Sequence, residues 1–227
     1  MIKIEPQVIT TIDKEFQAFS KKALKPTRPN RVFVISHLQK YEKSYKREGL
    51  ISNFVQKARQ LAEDFDKKGA TDFTGIIYAS LIKIKTLAFD IRENLIKRAI
   101  EIAQKQNDTI HELGRVVDLK MLYRENFDAR RKDYIKILFD EERLLRRIVR
   151  NFDTSVNNYK TVSKTMKTEE DYTYKLGLSK VEIAKQHINT NKKIALEKLI
   201  EAKKIFKKLG KSKEEFFVNG LIEQIKH

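Results

Sequence analysis

The chain has 227 residues, a formal net charge of +17 at pH 7, 41% hydrophobic residues and no cysteine. This apolar content excludes a disordered chain, and the lack of cysteine excludes disulfides and thiolate metal sites. The 48 lysines and arginines outnumber the 31 acidic residues, and we expect one of two roles for this positive charge. It favours association with something anionic, such as nucleic acid, a membrane surface or an acidic protein, or it serves solubility alone.

Helices dominate the predicted secondary structure. The sequence has only 7 Gly and 3 Pro, and all three prolines precede residue 30. The longest apolar stretch, Phe73 to Phe89, contains Lys83 and Lys85, so it falls short of the roughly 18 apolar residues of a membrane span. Lysine and glutamate occur among the first residues, so we expect no signal or transit peptide and a cytoplasmic protein. The predicted fold class is all-α.

The first 70 residues predict three helices. Residues 7–24 form the first, and Pro26 and the residues after it should end that helix, which makes 1–30 an N-terminal helix or arm with a linker. Apolar residues at helical spacing then continue up to Gly49 and again up to Gly69. Two segments are predicted to pair as an antiparallel helical hairpin, 31–48 and 50–68.

A further predicted helix runs almost to Gln106 unless a turn lies within 83–90. Thr109 followed by Glu112 has the spacing of a capping box, in which each side chain accepts a backbone N–H of the helix start. A new helix is therefore expected from Thr109 to about Arg124.

The remaining residues predict a long helix, a loop and a second hairpin. The helix spans 127–152, the hairpin comprises 172–188 and 192–209, and Ser212 with Glu215 opens a last short helix. Four segments are expected: an N-terminal helix or arm with linker (1–30), a helical-hairpin region (31–152), a polar loop (153–170), and a C-terminal hairpin with a capping helix (171–227).

Small residues recur on the predicted hairpins. Alanine lies on the second helix of three predicted hairpins, and a Leu-Gly pair occurs at two further positions in the chain. These positions resemble a degenerate form of the tetratricopeptide repeat (TPR) pattern. They are Ala58, Ala99, Leu113-Gly114, Leu176-Gly177, Ala195, Leu199 and Ala202.

The TPR resemblance covers about residues 50–114 and 172–227. The family's tryptophan and closing proline are absent, and the step from Gly177 to Ala195 is longer than in the family. The resemblance implies a short solenoid of helix pairs. Ordinary helical hairpins packed as a bundle are the alternative.

Catalytic and metal-binding motifs are scarce. The histidines (His37, His111, His187 and His227) are far apart in the sequence, and Asp108 with His111 is the nearest approach to the Glu-x-x-His pair of a di-iron site. The sequence lacks a phosphate-binding glycine loop, a nucleophile elbow and a His-Glu-x-x-His pair. We therefore predict no enzyme activity, no cofactor and no metal site.

The helix 127–152 has one apolar and one cationic side. Because residues advance by about 100° along a helix, its apolar side chains lie together and six cations lie opposite. We call these six the cationic ridge and predict that they bind an anion or a partner: Lys132, Lys136, Arg143, Arg146, Arg147 and Arg150. The alternative is a solvated face neutralised by Asp133, Asp140 and Glu142. Glu141 is out of phase, and if it is buried it needs an arginine partner.

These patterns favour a non-enzymatic scaffold or adaptor that offers a groove between helix pairs to a protein partner. Sequence-independent binding of nucleic acid through the cationic ridge is the alternative function. Peripheral binding to an anionic membrane is the second alternative, and the sequence leaves homo-oligomerisation open.

Overall fold

The structure is a computed structural model that describes residues 11–25, 30–157 and 168–226. All regular secondary structure within these residues is α-helical, which confirms the all-α prediction. The helices are α1 (Thr11–Leu24), α2 (Arg31–Arg47), α3 (Ile51–Lys67), α4 (Thr71–Leu81), α5 (Phe89–Lys105), α6 (Thr109–Glu125), α7 (Phe127–Arg150), α8 (Phe152–Asn157), α9 (Glu169–His187), α10 (Lys192–Lys208) and α11 (Ser212–Lys226).

The chain folds into two compact units, with the boundary between Ile102 and Ala103. This boundary lies inside α5 and inside the segment 31–152 that the sequence indicates as one region. The division of the chain into the four segments expected from the sequence stays a prediction. Most of the predicted polar loop, residues 158–167, lies outside the described residues.

An aromatic core holds the first unit together. Phe16 of α1 is 2% exposed and lies edge to face against Tyr41 of α2 and Phe54 of α3, with ring centroids 5.3 and 6.0 Å apart. The buried hydroxyl of Tyr45 donates to Asp13 Oδ1 at 2.7 Å. α1, which lies in the segment predicted as an N-terminal helix or arm, is thus packed into this unit.

Glycines end the two helices of the first hairpin as predicted. Gly49 and Gly69 follow α2 and α3 with φ of +73°, a conformation in which a Cβ is strained. The turn that the sequence could not place lies after α4, which ends at Leu81. Ile84 and Leu87 are buried in this connection, so its composition resembles that of a helix interior.

In the second unit, α6 packs against α7, α7 against α9, and α9 against α10, while α10 also packs against α11. α9 and α10 approach closely because Gly177 has no side chain: a Cβ there would lie 2.7 Å from Phe206 Cε1. Ala195 and Ala202 are fully buried in the same core. Small residues therefore allow the close helix packing that the predicted hairpin requires.

The predicted capping box at the start of α6 is wrong in detail. Asp108, not Thr109, is the N-cap of α6, and its Oδ1 accepts the His111 N–H at 2.9 Å. Glu112 instead accepts a hydrogen bond from the Gln104 side chain. α11 begins at Ser212, as the sequence predicts. A true capping box joins Thr168 and Asp171 at the start of α9.

Candidate functional site

A groove with a volume of about 670 Å³ lies in the second unit. Side chains from α6, α7, α9, α10 and α11 form its walls. We call it the α9 groove because α9 provides five of the lining residues. The lining residues are Arg124, Phe127, Tyr134, Leu178, Val181, Glu182, Lys185, Gln186, Phe206, Glu214 and Phe217.

Two apolar side chains of the α9 groove are open to solvent. Leu178 is 43% exposed and Phe217 is 48% exposed. Val181 and Phe206 also line the groove but are buried. Covering exposed apolar groups lowers the free energy of binding, because apolar surface is removed from water. This part of the groove therefore suits an apolar side chain of a ligand.

Cations stand beside these apolar groups. Lys185 Nζ lies 4.8 Å from the centroid of the Phe217 ring, a cation–π contact. Arg124 is exposed on another wall, and no ion pair of either cation is found among the described residues. The groove therefore offers two positive charges that a carboxylate of a partner can neutralise.

Tyr134 and Glu182 hold the wall of the groove through a hydrogen bond. Burial and this bond raise the pKa of Tyr134 well above its usual value, although the nearby charge of Arg124 opposes the rise. Lys120 binds Glu182 at 3.2 Å and also binds the buried Glu141 at 2.7 Å. The expectation of an arginine partner for Glu141 is thus wrong: a lysine from α6 fills that position.

Elsewhere in the second unit, Glu142 lies at the centre of a buried ion cluster. It is 4% exposed and accepts from Lys180 at 2.6 Å, Lys198 at 2.9 Å and Arg146 at 2.6 Å. Burial by itself would raise the pKa of Glu142, but the hydrogen bonds from these cations outweigh burial and lower that pKa to about 2. Glu142 is therefore an anion at every physiological pH.

Glu201 extends the cluster on α10. Lys180 bonds Glu201 as well as Glu142, and the bond from Lys180 and the charges of the neighbouring cations outweigh burial and lower the pKa of Glu201. The cluster thus ties α7, α9 and α10 together through ion pairs. Because a general base is most effective with a pKa near the working pH, these anions suit a structural role.

The structure places the cationic ridge on α7, but its six residues do not share one role. Lys132, Lys136, Arg143, Arg147 and Arg150 are exposed, whereas Arg146 is half-buried and belongs to the Glu142 cluster. Arg143 pairs with Asp140 at 2.9 Å. The interpretation of Glu142 as a solvated counter-charge is wrong, because three cations from α7, α9 and α10 enclose it.

The described histidines have separate environments. His37 stacks on Phe19 with ring centroids 5.1 Å apart, and His111 Nδ1 bonds Asp108. His187 lies 5.9 Å from the Phe139 ring. His227 lies outside the described residues. Within those residues no group of three or more His, Asp or Glu side chains could hold a metal ion, and no helix is long and apolar enough to cross a membrane.

Comparisons with known proteins give a structural likeness. No family model and no curated protein match the chain. Its structure is similar to that of a Podosopora anserina protein described as a kinesin light chain with nearly identical TPR-like repeats. The match covers 85% of this chain and 94% of that chain, at 13% identity and a TM-score of 0.31. Because the TM-score is this low, the likeness carries no argument about function. The function proposed below is inferred from the contacts within this chain.

Proposed function

We propose that this chain is a non-enzymatic cytoplasmic scaffold that binds a segment of a protein partner in the α9 groove. The supporting observation is that exposed Leu178 and Phe217 lie in one groove with the cations Lys185 and Arg124. Protein interfaces combine an apolar centre with a charged rim and favour aromatic residues. Packed helical hairpins also present the extended surfaces on which such segments bind.

The bound segment has an apolar side chain and at least one carboxylate. The apolar side chain covers Leu178 and Phe217, and the carboxylate lies near Lys185 or Arg124. Attraction between these charges orients the segment and accelerates association, whereas the apolar contact supplies most of the affinity.

The polar groups of the groove support binding and not catalysis. Tyr134 donates to Glu182, and Lys120 neutralises that carboxylate from the other side. A tyrosine with a raised pKa stays protonated and keeps this hydrogen bond at neutral pH. These groups fix the shape of the wall against which a partner packs.

Affinity capture from native lysate with one groove variant tests the proposal. Leu178→Glu places a charge in the groove, and Ile200→Glu places the same charge on α10, where Ile200 is similarly exposed at 45% but lies outside the groove. We expect the parent and Ile200→Glu to retain the same proteins after nuclease treatment, and Leu178→Glu to lose them. Equal capture by both variants would exclude the groove as the binding site.

Nucleic-acid binding is the second candidate function, and the cationic ridge supports it. Lys132, Lys136, Arg147 and Arg150 are exposed, and within the described part of the chain none of the four is in an ion pair. Such charges can neutralise phosphates without reading bases. If this function applies, the captured material is nucleic acid and the proteins bound to it, and nuclease removes both.

A further inference from the structure

One face of α11 is exposed along its whole length. At about 100° per residue, Val218, Ile222 and Ile225 face the core, and all three are buried. The opposite side is exposed, and Phe216 at 80% is the most exposed large hydrophobic side chain of the described residues. The exposed face consists of Lys213, Phe216, Phe217, Gly220, Glu223 and Gln224.

This face has a projecting ring and an open space one helical turn apart. Phe216 projects into solvent, and a Cβ built at Gly220 would meet nothing within 4 Å. A second α11 that runs antiparallel across the first, with a two-fold axis level with Val218, places each Phe216 over the other copy's Gly220. Both residues are two positions from the axis, so a single register satisfies both contacts.

The same register also pairs opposite charges. Lys213 and Glu223 are each five positions from Val218, about 7.5 Å along the helix, so each Lys213 lies opposite the Glu223 of the second copy. Within one chain Glu223 pairs with Lys226 at 3.0 Å on an exposed surface. An exposed pair of this kind contributes little free energy, so a second lysine can share the carboxylate.

The charge of α11 permits close approach of two strongly basic chains. The whole chain has a net charge of +17, but α11 contains two lysines and three glutamates. Two copies therefore meet at a helix that is slightly acidic, which reduces the repulsion between them.

From these three observations we propose that the exposed face of α11 binds a second copy of this chain as a two-fold, antiparallel helix pair. Phe216, which projects from this face, does not line the α9 groove, whereas Phe217 of the same face does. One helix pair buries less surface than a standard interface, so the dimer is weak and reversible.

Sedimentation of the full chain tests the dimer up to about 1 mM, where even weak association is measurable. We expect a concentration-dependent dimer for the parent and for Ile200→Glu, and a dissociation constant raised by about 30-fold or more for Phe216→Glu. Phe216 is exposed, so the variant keeps the core and should have the parent's circular dichroism and unfolding midpoint. A parent that stays monomeric, or Phe216→Glu that dimerises like the parent, overturns the proposal.

Charge reversal tests the register. Lys213→Glu and Glu223→Lys should each weaken self-association, because each places like charges opposite one another. The double variant Lys213→Glu/Glu223→Lys should regain the dimer, and an equimolar mixture of the two single variants should form a heterodimer. A double variant and a mixture that both remain monomeric overturn the antiparallel register and with it the proposed interface.

Discussion

Gly177 and Phe206 form a close approach of α9 and α10: a Cβ on Gly177 would lie 2.7 Å from Phe206 Cε1 and 3.2 Å from Ile205 Cγ2. Gly177→Ala should therefore overpack this crossing and lower the free energy of unfolding by about 1–3 kcal/mol. Gly114→Ala is the matched control, because it also lies within a helix but meets nothing within 4 Å.

In the control variant the change in the free energy of unfolding should have the opposite sign. Alanine replaces glycine in α6 without a clash, so Gly114→Ala should raise the free energy of unfolding by about 0.4–1 kcal/mol. Urea unfolding monitored by circular dichroism measures both variants. Stabilisation by both substitutions would mean that α9 and α10 are farther apart than this crossing requires.

The sequence was sufficient to predict the ends of α2 and α3, because a local signal marks both of them. Gly49 and Gly69 end their helices at the expected turns because positive φ favours glycine. The turn between α4 and α5 has no such signal: Ile84 and Leu87 are buried in it, so the apolar pattern continues through the connection. Tertiary burial of a loop cannot be deduced from periodicity alone.

The candidate site was largely beyond sequence reasoning. Lys180 and Lys198 are long charged residues on predicted helices, and such residues are usually solvated, yet both are buried against Glu142. The out-of-phase Glu141 was a usable local signal, but its partner is Lys120 of another helix. Contacts between distant segments decide which charges are buried. The local pattern of a single sequence does not show which segments make these contacts.

The Glu142 cluster predicts a large loss of stability in Glu142→Gln. This substitution removes the charge that neutralises the buried Lys180 and Lys198, and breaking a buried pair costs about 3–5 kcal/mol. Asp140→Asn is the control on the same helix, because it breaks an ion pair with the exposed Arg143, and should cost about 0–1 kcal/mol. Equal losses in the two variants would contradict the buried cluster.

Glu142 also predicts how the stability of the folded state changes with pH. The pKa of Glu142 falls from an ordinary value of 4.5 to about 2 on folding, so its ionised form stabilises the folded state above pH 4.5. That contribution is lost as the pH falls from 4.5 towards 2. The difference in unfolding free energy between the parent and Glu142→Gln should therefore be constant near neutral pH and shrink across this window. A difference that grows on acidification would contradict the lowered pKa.

The N-cap of α6, Asp108, gives a local test of how this helix begins. Asp108→Ala removes the acceptor of the His111 N–H and should cost about 0.5–2 kcal/mol. Asp108→Asn keeps an acceptor oxygen and should lose much less. Thermal or urea unfolding of the two variants distinguishes capping from the charge of the carboxylate, since equal losses would assign the effect to the charge.

The cationic ridge provides the test between protein and nucleic-acid binding. Arg146 stays in place because it bonds the buried Glu142, and its loss would affect stability. The variant Arg143→Gln/Arg147→Gln/Arg150→Gln removes three exposed charges of α7. The control removes three exposed lysines of α10, Lys204, Lys207 and Lys208, in the same way, so both proteins have the same net charge.

Binding to mixed single- and double-stranded DNA and RNA is then titrated at about 50 and 200 mM salt, where phosphate-driven affinity falls steeply. If the ridge follows a phosphate backbone, the ridge variant should bind all sequences more weakly, and its salt slope should fall by about 0.7–0.9 per lost contact. The control should keep the parent's slope, because its charges lie on another helix. Equal weakening of both variants would assign binding to net charge and not to the ridge. A parent that does not bind at the lower salt would exclude the nucleic-acid function, whereas the proteins captured through the α9 groove would be unaffected.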